Sequence, residues 1–204
     1  MGELVDTNAP YLAAQLPPLG IELQRITQAN DDIGMLVEAL QQASQRSDLV
    51  LTTEGLGPTD DDLTREAIAQ LVGETLYVDP QSLDHLKETF RQRGTSMPST
   101  NVKQANLIPS GRSVLNAVGT APGWWVEKDG KMIIAMPGPP GEMMNIWANE
   151  VAPKLKGRVN GQVIITRNIK TTDLAEADVA ERVAKYCETD NPYLGIYAKH
   201  DGIH

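Results

Sequence analysis

The chain has 204 residues, 41% hydrophobic and 22% charged, with a formal net charge of −9. This is the composition of a globular protein long enough for one good core and a smaller second unit, and its acidity excludes a face built to hold a nucleic-acid backbone. One cysteine, Cys187, excludes a disulfide framework or multi-cysteine zinc site, and no apolar run approaches the roughly 18 residues of a membrane helix.

Cys187 reads as a packing residue, and the absence of a signal-peptide core at the start points to a cytoplasmic protein with no membrane partner. Met1 to Val5 is too short for a full strand. Asp6, Thr7 and Asn8 precede a helix with Leu12 and Leu16 on one face, ended by Pro17-Pro18 and Gly20. Ile21 to Ile26 alternates like a strand, and Asn30-Asp31-Asp32 caps a helix from Ile33 to Gln45. Leu49 to Leu51 is a strand that enters the turn Gly55-Leu56-Gly57-Pro58, after which Asp60-Asp61-Asp62 open a helix through Ile68 to Leu71. This alternation predicts a parallel sheet covered by helices.

A short strand at Leu76 to Val78 and a helix from Pro80 to Arg93 come next, with His85 on the helix surface. Gly94 to Asn106 has no clear period and reads as a long loop, which in a compact domain is usually functional. Ser113 to Leu115 is extended. Trp124 to Glu127 and Lys131 to Met136, joined through Asp129-Gly130, form a hairpin in which one tryptophan of the adjacent pair Trp124 and Trp125 belongs to the core. Pro137 to Gly141 stops the second strand, and Glu142 to Leu155 is helical. Lys156 to Gln162 is a linker between domains at 1–156 and 162–204. The second domain reads as a strand at Val163 to Ile169, a helix at Glu176 to Cys187 and a strand at Leu194 to Ala198.

The chemistry centres on the loop between Leu51 and Ile68. A glycine turn between strand and helix can present N–H groups and the helix end to a phosphate. The surrounding carboxylates, Asp31, Asp32, Asp60, Asp61, Asp62 and Glu142, oppose that anion. Singly, each is an ordinary helix cap worth about 0.3–1 kcal/mol. Together they outweigh the helix end, because two unit charges about 4 Å apart interact by roughly 4 kcal/mol at an effective dielectric of 20. A divalent cation between carboxylates and phosphate resolves the conflict, so metal-assisted attack on a phosphate or pyrophosphate is expected. Lys103 and Gln104 stand where a cation and an amide could meet the rest of the ligand.

The segments Asp6-Thr7-Asn8, Thr52 to Thr64, Lys103-Gln104-Ala105, Asn116 with Gly119 to Gly123, and Pro137 to Met143 together resemble the amino-terminal domain of the CinA family, of the MoaB/Mog molybdopterin-binding type. Asn191-Pro192 and Gly195 to Lys199 resemble the KH-like domain that follows in that family. The resemblance implies a three-layer α/β/α domain with a mostly parallel sheet, plus a small, incomplete α+β KH-like domain. It implies a dimer that hydrolyses ADP-ribose to AMP and ribose 5-phosphate with a divalent metal, or a related module that binds a pterin phosphate or nucleotide without catalysis. Carried over motif by motif, the ligand would meet Asn8, Gly55, Gly57, Thr59, Thr64, Lys103, Gln104, Asn116, Gly119, Thr120, Gly138 and Glu142. Asp62, Asp61 and Asp31 would be catalytic, and Asp61, Asp62 and Glu142 would hold the metal.

The sequence also departs from the family pattern. The full first strand and glycine-glutamate turn that precede this segment in relatives are expected to be missing, leaving an unpaired edge. Glu54 stands where the pattern has Gly, and Asp173 and Ala177 where it tends to have Gly and Ser. The amidase domain that often follows is absent from this sequence, so a truncated, inactive copy is a further expectation.

Overall fold

The computed structural model describes residues 5–158 and 165–204. The chain divides into two compact units between Ile164 and Ile165.

In the first unit, α1 (Asn8–Gln15) is followed by a 3-10 turn at Pro17–Leu19 that ends on Gly20 at a φ of 73°. α2 (Ile33–Arg46) starts where Asp32 accepts from the Met35 N–H at 2.9 Å, an N-cap that satisfies an otherwise orphaned donor. Strand β1 (Leu49–Thr53) leads through the glycine loop to α3 (Thr64–Val72), which ends on left-handed Gly73. β2 (Tyr77–Val78) precedes α4 (Pro80–Gln92), capped by Asp79 and opened by Pro80. β3 (Asn106–Leu107) pairs with β2, and β4 (Gly111–Val114), β5 (Gly123–Lys128) and β6 (Lys131–Met136) follow. The β5–β6 turn puts Asp129 and Gly130 at positive φ, as a two-residue hairpin with the right twist requires. The last helical run is α5 (Pro140–Ile146), a π turn at Trp147–Val151, and α6 (Ala152–Lys156).

The main sheet has the order β1-β6-β5-β4. β1 and β6 are parallel, while β6, β5 and β4 form an antiparallel meander, so the described sheet is mixed. Helices cover both faces. Trp124 packs with Leu40, Ala67 and Ile68 on the side of α2 and α3; Trp125 packs with Leu12, Leu16, Met143 and Trp147 on the side of α1 and α5. This is the expected three-layer α/β/α arrangement. Adjacent strand residues do face opposite sides, but both faces are covered, so both tryptophans are core and neither is free to stack a base.

Three other expectations are corrected. Ile21 to Ile26 is not a strand: the segment has no sheet partner, and Leu23 and Ile26 are exposed. Alternation supplies a strand's pattern, but pairing needs a neighbouring edge. The loop Gly94 to Asn106 is partly a 3-10 helix, Ser99–Ala105, pinned by Asn101 donating to Gln104 at 2.9 Å with both side chains buried. Cys187 is exposed rather than packed.

The second unit holds α7 (Glu176–Val183) and the hairpin β7 (Ala198–Lys199) and β8 (Gly202–Ile203), with a bridge from Thr171 to Ile203. The expected strand at Leu194 to Ala198 is thus reduced to the start of β7. Residues 165–169 of the strand expected at Val163 to Ile169 are irregular, and Val163 and Ile164 lie outside the described residues, as do Met1 to Leu4 and much of the expected linker.

Candidate functional site

The loop after β1 is folded around its own carboxylate. Asp62 accepts from the Gly57 N–H at 2.7 Å and the Thr59 N–H at 2.9 Å, and also from the Thr59 hydroxyl. Burial pushes the Asp62 carboxyl up, but these bonds and the nearby Lys103 charge outweigh it and hold the group below the ordinary aspartate range. A Cβ on Gly57 would stand 2.3 Å from an Asp62 oxygen, so only glycine lets this carboxylate close on the turn. Gly55 sits at a φ of 68°, and the Thr64 hydroxyl donates back to the Glu54 carbonyl at 2.9 Å, fastening the start of α3 to the end of β1.

Two cations hold the loop from outside. Lys103 Nζ donates to the Thr59 carbonyl at 2.9 Å and pairs with Glu66 at 3.4 Å. Arg65 is fully buried, donating to the carbonyls of Leu56 at 2.6 Å and Gly57 at 3.2 Å; burial takes its pKa down to about 10. Arg65 was not among the residues expected to matter. Its only sequence signal was a charged residue in the first turn of α3, where solvent is the usual surroundings.

Beside the loop lies a cleft of about 340 Å³. Asp31, Gly55, Gly57, Asp61, Asp62, Gln104, Thr120, Gly138 and Glu142, all expected site residues, line it together with Glu54. On the far wall Asn116, buried, donates to Glu142 Oε2 at 2.6 Å and to the Ala121 carbonyl at 2.9 Å, and accepts from the Gly119 N–H at 2.9 Å. A Cβ at Gly119 would fall 1.9 Å from Glu142 Oε2, so the missing side chain is what admits the glutamate.

Of the other expected residues, Asn116 and Gly119 act through Glu142, Thr59 through Asp62 and Lys103 through Thr59; none of these four lines the cleft. Asn8 and Thr64 line a larger neighbouring cavity, Asn8 donating to the Gly138 carbonyl at 2.8 Å. The N–H groups of Gly57 and Thr59, expected to hold phosphate, are spent on Asp62. Among the described residues no three His, Cys, Asp or Glu side chains converge to hold a metal ion. Asp61, Asp62 and Glu142 line one cleft, and both Asp62 oxygens already serve the loop through three hydrogen bonds.

The sequence matches the family described as Probable molybdopterin binding domain over residues 1–157, and the Damage-inducible protein CinA KH domain over residues 166–204. The chain belongs to the CinA-like branch of this molybdopterin-binding-domain family. It is 45% identical over 203 residues to a CinA-like protein of Thermomicrobium roseum, a match covering all of this chain and 50% of that one. This CinA-like chain spans about half the length of the curated relatives it matches. The crystal structure of CinA from Thermoplasma acidophilum, titled as a protein of unknown function, is 33% identical with a TM-score of 0.70, over 76% of this chain and 90% of that one. A molybdopterin biosynthesis protein from Mycobacterium abscessus, at 18% identity and a TM-score of 0.50 over 76% and 84% of the two chains, shares the fold. Among the described residues no helix is long and apolar enough to cross a membrane.

Proposed function

We propose that the carboxylate cleft binds the pyrophosphate of ADP-ribose, or a related dinucleotide, as its divalent-metal chelate and hydrolyses it to AMP and ribose 5-phosphate. The observation that carries this reading is the cleft wall itself: Asp31, Glu54, Asp61, Asp62 and Glu142 all line it, while Lys103 and Arg65 do not. A free pyrophosphate is repelled by such a wall; one that arrives chelated presents its cation to it. Magnesium in particular is commonly held by one or two carboxylates plus the substrate's own phosphates, which suits a cleft without a convergent protein ligand set.

The roles divide by what each carboxylate already does. Asp62 shapes the loop. Asp31 and Asp61, exposed, lining the cleft and without side-chain partners among the described hydrogen bonds, are the groups that would hold the chelated cation. Glu142 is held through Oε2 by Asn116, leaving Oε1 to accept a proton from an attacking water. Hydrolysis adds that water across the phosphorus–oxygen–phosphorus bridge: hydroxide joins one phosphorus, and the bridging oxygen leaves with the other phosphate.

A second reading has a specific observation behind it. Both amides expected to cradle phosphate are turned to Asp62, and a cleft so occupied suits a module that binds a pterin phosphate or nucleotide without turnover. Incubating the chain with ADP-ribose and magnesium, followed by chromatography, separates the readings. Release of AMP and ribose 5-phosphate that is lost in Glu142→Gln supports hydrolysis. Calorimetric binding of ADP-ribose with the nucleotide left intact supports the binding module, and neither binding nor turnover overturns both. Sedimentation of the same sample checks the proposed homodimer.

A further inference from the structure

Gln104 is the one side chain lining the carboxylate cleft that carries N–H groups; the other polar side chains there are the carboxylates of Asp31, Glu54, Asp61, Asp62 and Glu142 and the Thr120 hydroxyl. It is 2% exposed, so packing rather than solvent sets its place in the wall. Its Oε1 accepts from Asn101 Nδ2 at 2.9 Å, and among the described residues its Nε2 donates to no group. The oxygen is turned back to buried Asn101, which leaves the nitrogen for the cleft. A buried amide with an unused donor side is costly until a partner fills it.

The 3-10 helix Ser99–Ala105 explains how the two amides meet. Such a helix has about three residues per turn, so side chains at i and i+3 eclipse, and Asn101 lies directly beside Gln104. The turn is tied at both ends: the Asn101 N–H donates to the Pro98 carbonyl at 3.1 Å, and the Ala105 carbonyl accepts from the N–H of Asp79, the N-cap of α4, at 2.9 Å. Lys103, on another side of the same helix, donates to the Thr59 carbonyl and so braces the glycine loop. The wall decides which way round the amide pair sits. With Asn101 accepting instead, Gln104 would aim its oxygen at a wall of carboxylates, against the direction in which their field turns an amide dipole.

We propose that Asn101 is a positioning residue of the cleft: it holds the Gln104 oxygen and thereby presents the Gln104 N–H groups to a phosphate oxygen of the ligand. The proposal rests on the reading that the cleft takes a pyrophosphate as its metal chelate. In that arrangement the cation meets the carboxylates, and Gln104 supplies a donor to an oxygen the cation leaves free. A neutral amide suits the task. A lysine at the same place would pair with the surrounding carboxylates and displace the cation they are there to hold, whereas an amide donates without neutralising the wall. Asn101 itself does not line the cleft and acts only through Gln104.

The test uses the full chain with two probes, ADP-ribose and inorganic pyrophosphate, each with magnesium, and two variants. Asn101→Asp keeps the shape but can only accept, so Gln104 turns over to donate to it and its oxygen enters the cleft. Asn101→Leu keeps the volume and merely releases the amide. By calorimetry we expect affinity to fall in the order unmutated, Asn101→Leu, Asn101→Asp, the last by roughly tenfold or more, with a cooperative unfolding transition retained. The order does not follow from stability, because the leucine leaves a buried oxygen unpaired and the aspartate does not. In nitrogen-15 spectra the Gln104 side-chain amide signals, assigned by their loss in Gln104→Glu, should shift on adding probe to the unmutated chain and stay in place in Asn101→Asp. Binding by Asn101→Asp at unmutated strength overturns the positioning role and leaves the reading of the cleft standing, as do Gln104 signals that stay in place while the unmutated chain binds. A chain that binds neither probe overturns that reading and the proposal with it.

Discussion

Asp62 holds its loop by accepting three hydrogen bonds that no neutral side chain of its size can accept together. An amide in its place offers one oxygen and sets its NH2 group against the donors on the other side, either the Gly57 N–H or the Thr59 N–H. Asp62→Asn is therefore expected to cost about 1–3 kcal/mol, the range for losing hydrogen bonds to a charged group, read as a lowered denaturation midpoint. The acid dependence follows from the same bonds. The folded carboxyl titrates below its ordinary value, so its stabilisation is complete above an unfolded pKa of about 3.9 and is lost as pH falls through the lower, folded value. Unfolding followed from neutral pH to that range should steepen in acid for the unmutated chain and less so for the variant; parallel curves would show that Asp62 is not the group responsible. Glu54 carries the opposite sign. It sits at a φ of 83° with a side chain, a conformation costing an L-residue about 1–2 kcal/mol. Glycine relieves that and gives back about 0.5–1 kcal/mol in chain entropy. Glu54→Gly should stabilise the chain slightly, while removing one charge from the cleft wall should tighten nucleotide binding measured without metal.

α3 shows why an element can be legible in a sequence while its role is not. Its end is close to the expected one, but it starts at Thr64 rather than at the acidic triplet, which closes the loop instead of opening the helix. The spans of α1, α2 and the β5–β6 hairpin are close to those expected, because proline and glycine ends, the Asp32 cap and Asp129-Gly130 are local signals read within a few residues. Arg65 lies in that same helix, yet its burial depends on the loop folding back over it. The strand expected at Ile21 to Ile26 fails for a related reason: its alternation is real, but no described strand lies against it. The loop's acidic triplet was legible as a cluster, whereas the division of labour within it, Asp62 inward and Asp61 toward the cleft, is a matter of three-dimensional closure. Arg65→Met keeps most of the buried volume and withdraws the donors from the carbonyls of Leu56 and Gly57. Unpaired buried acceptors cost about 1–3 kcal/mol each, partly offset because a cation no longer has to be desolvated, so a net loss of roughly 2 kcal/mol is expected. An unchanged thermal midpoint would mean the guanidinium's bonds merely cancel its burial.

At the scale of the whole chain, the two units differ in what can hold each together. The first has a sheet with apolar clusters on both faces, each anchored by one of the paired tryptophans. Every residue classed as buried among those described belongs to it. In the second unit, Ile165 to His204, Tyr193 and Tyr197 are 84% and 61% exposed and no described side chain is buried. A segment of that size lies near the length, about 40 residues, below which disulfides, metals or partners are usually needed, and its one cysteine has no intrachain mate. A peptide of residues 165–204 alone should therefore show weak near-ultraviolet circular dichroism and a broad, non-cooperative thermal response, while residues 1–164 alone should keep a sharp transition near that of the full chain. A cooperative transition in the short peptide would show that main-chain bonding around Thr171, β7 and β8 suffices without a core. Loss of the sharp transition in residues 1–164 would show instead that the larger unit draws stability from the smaller.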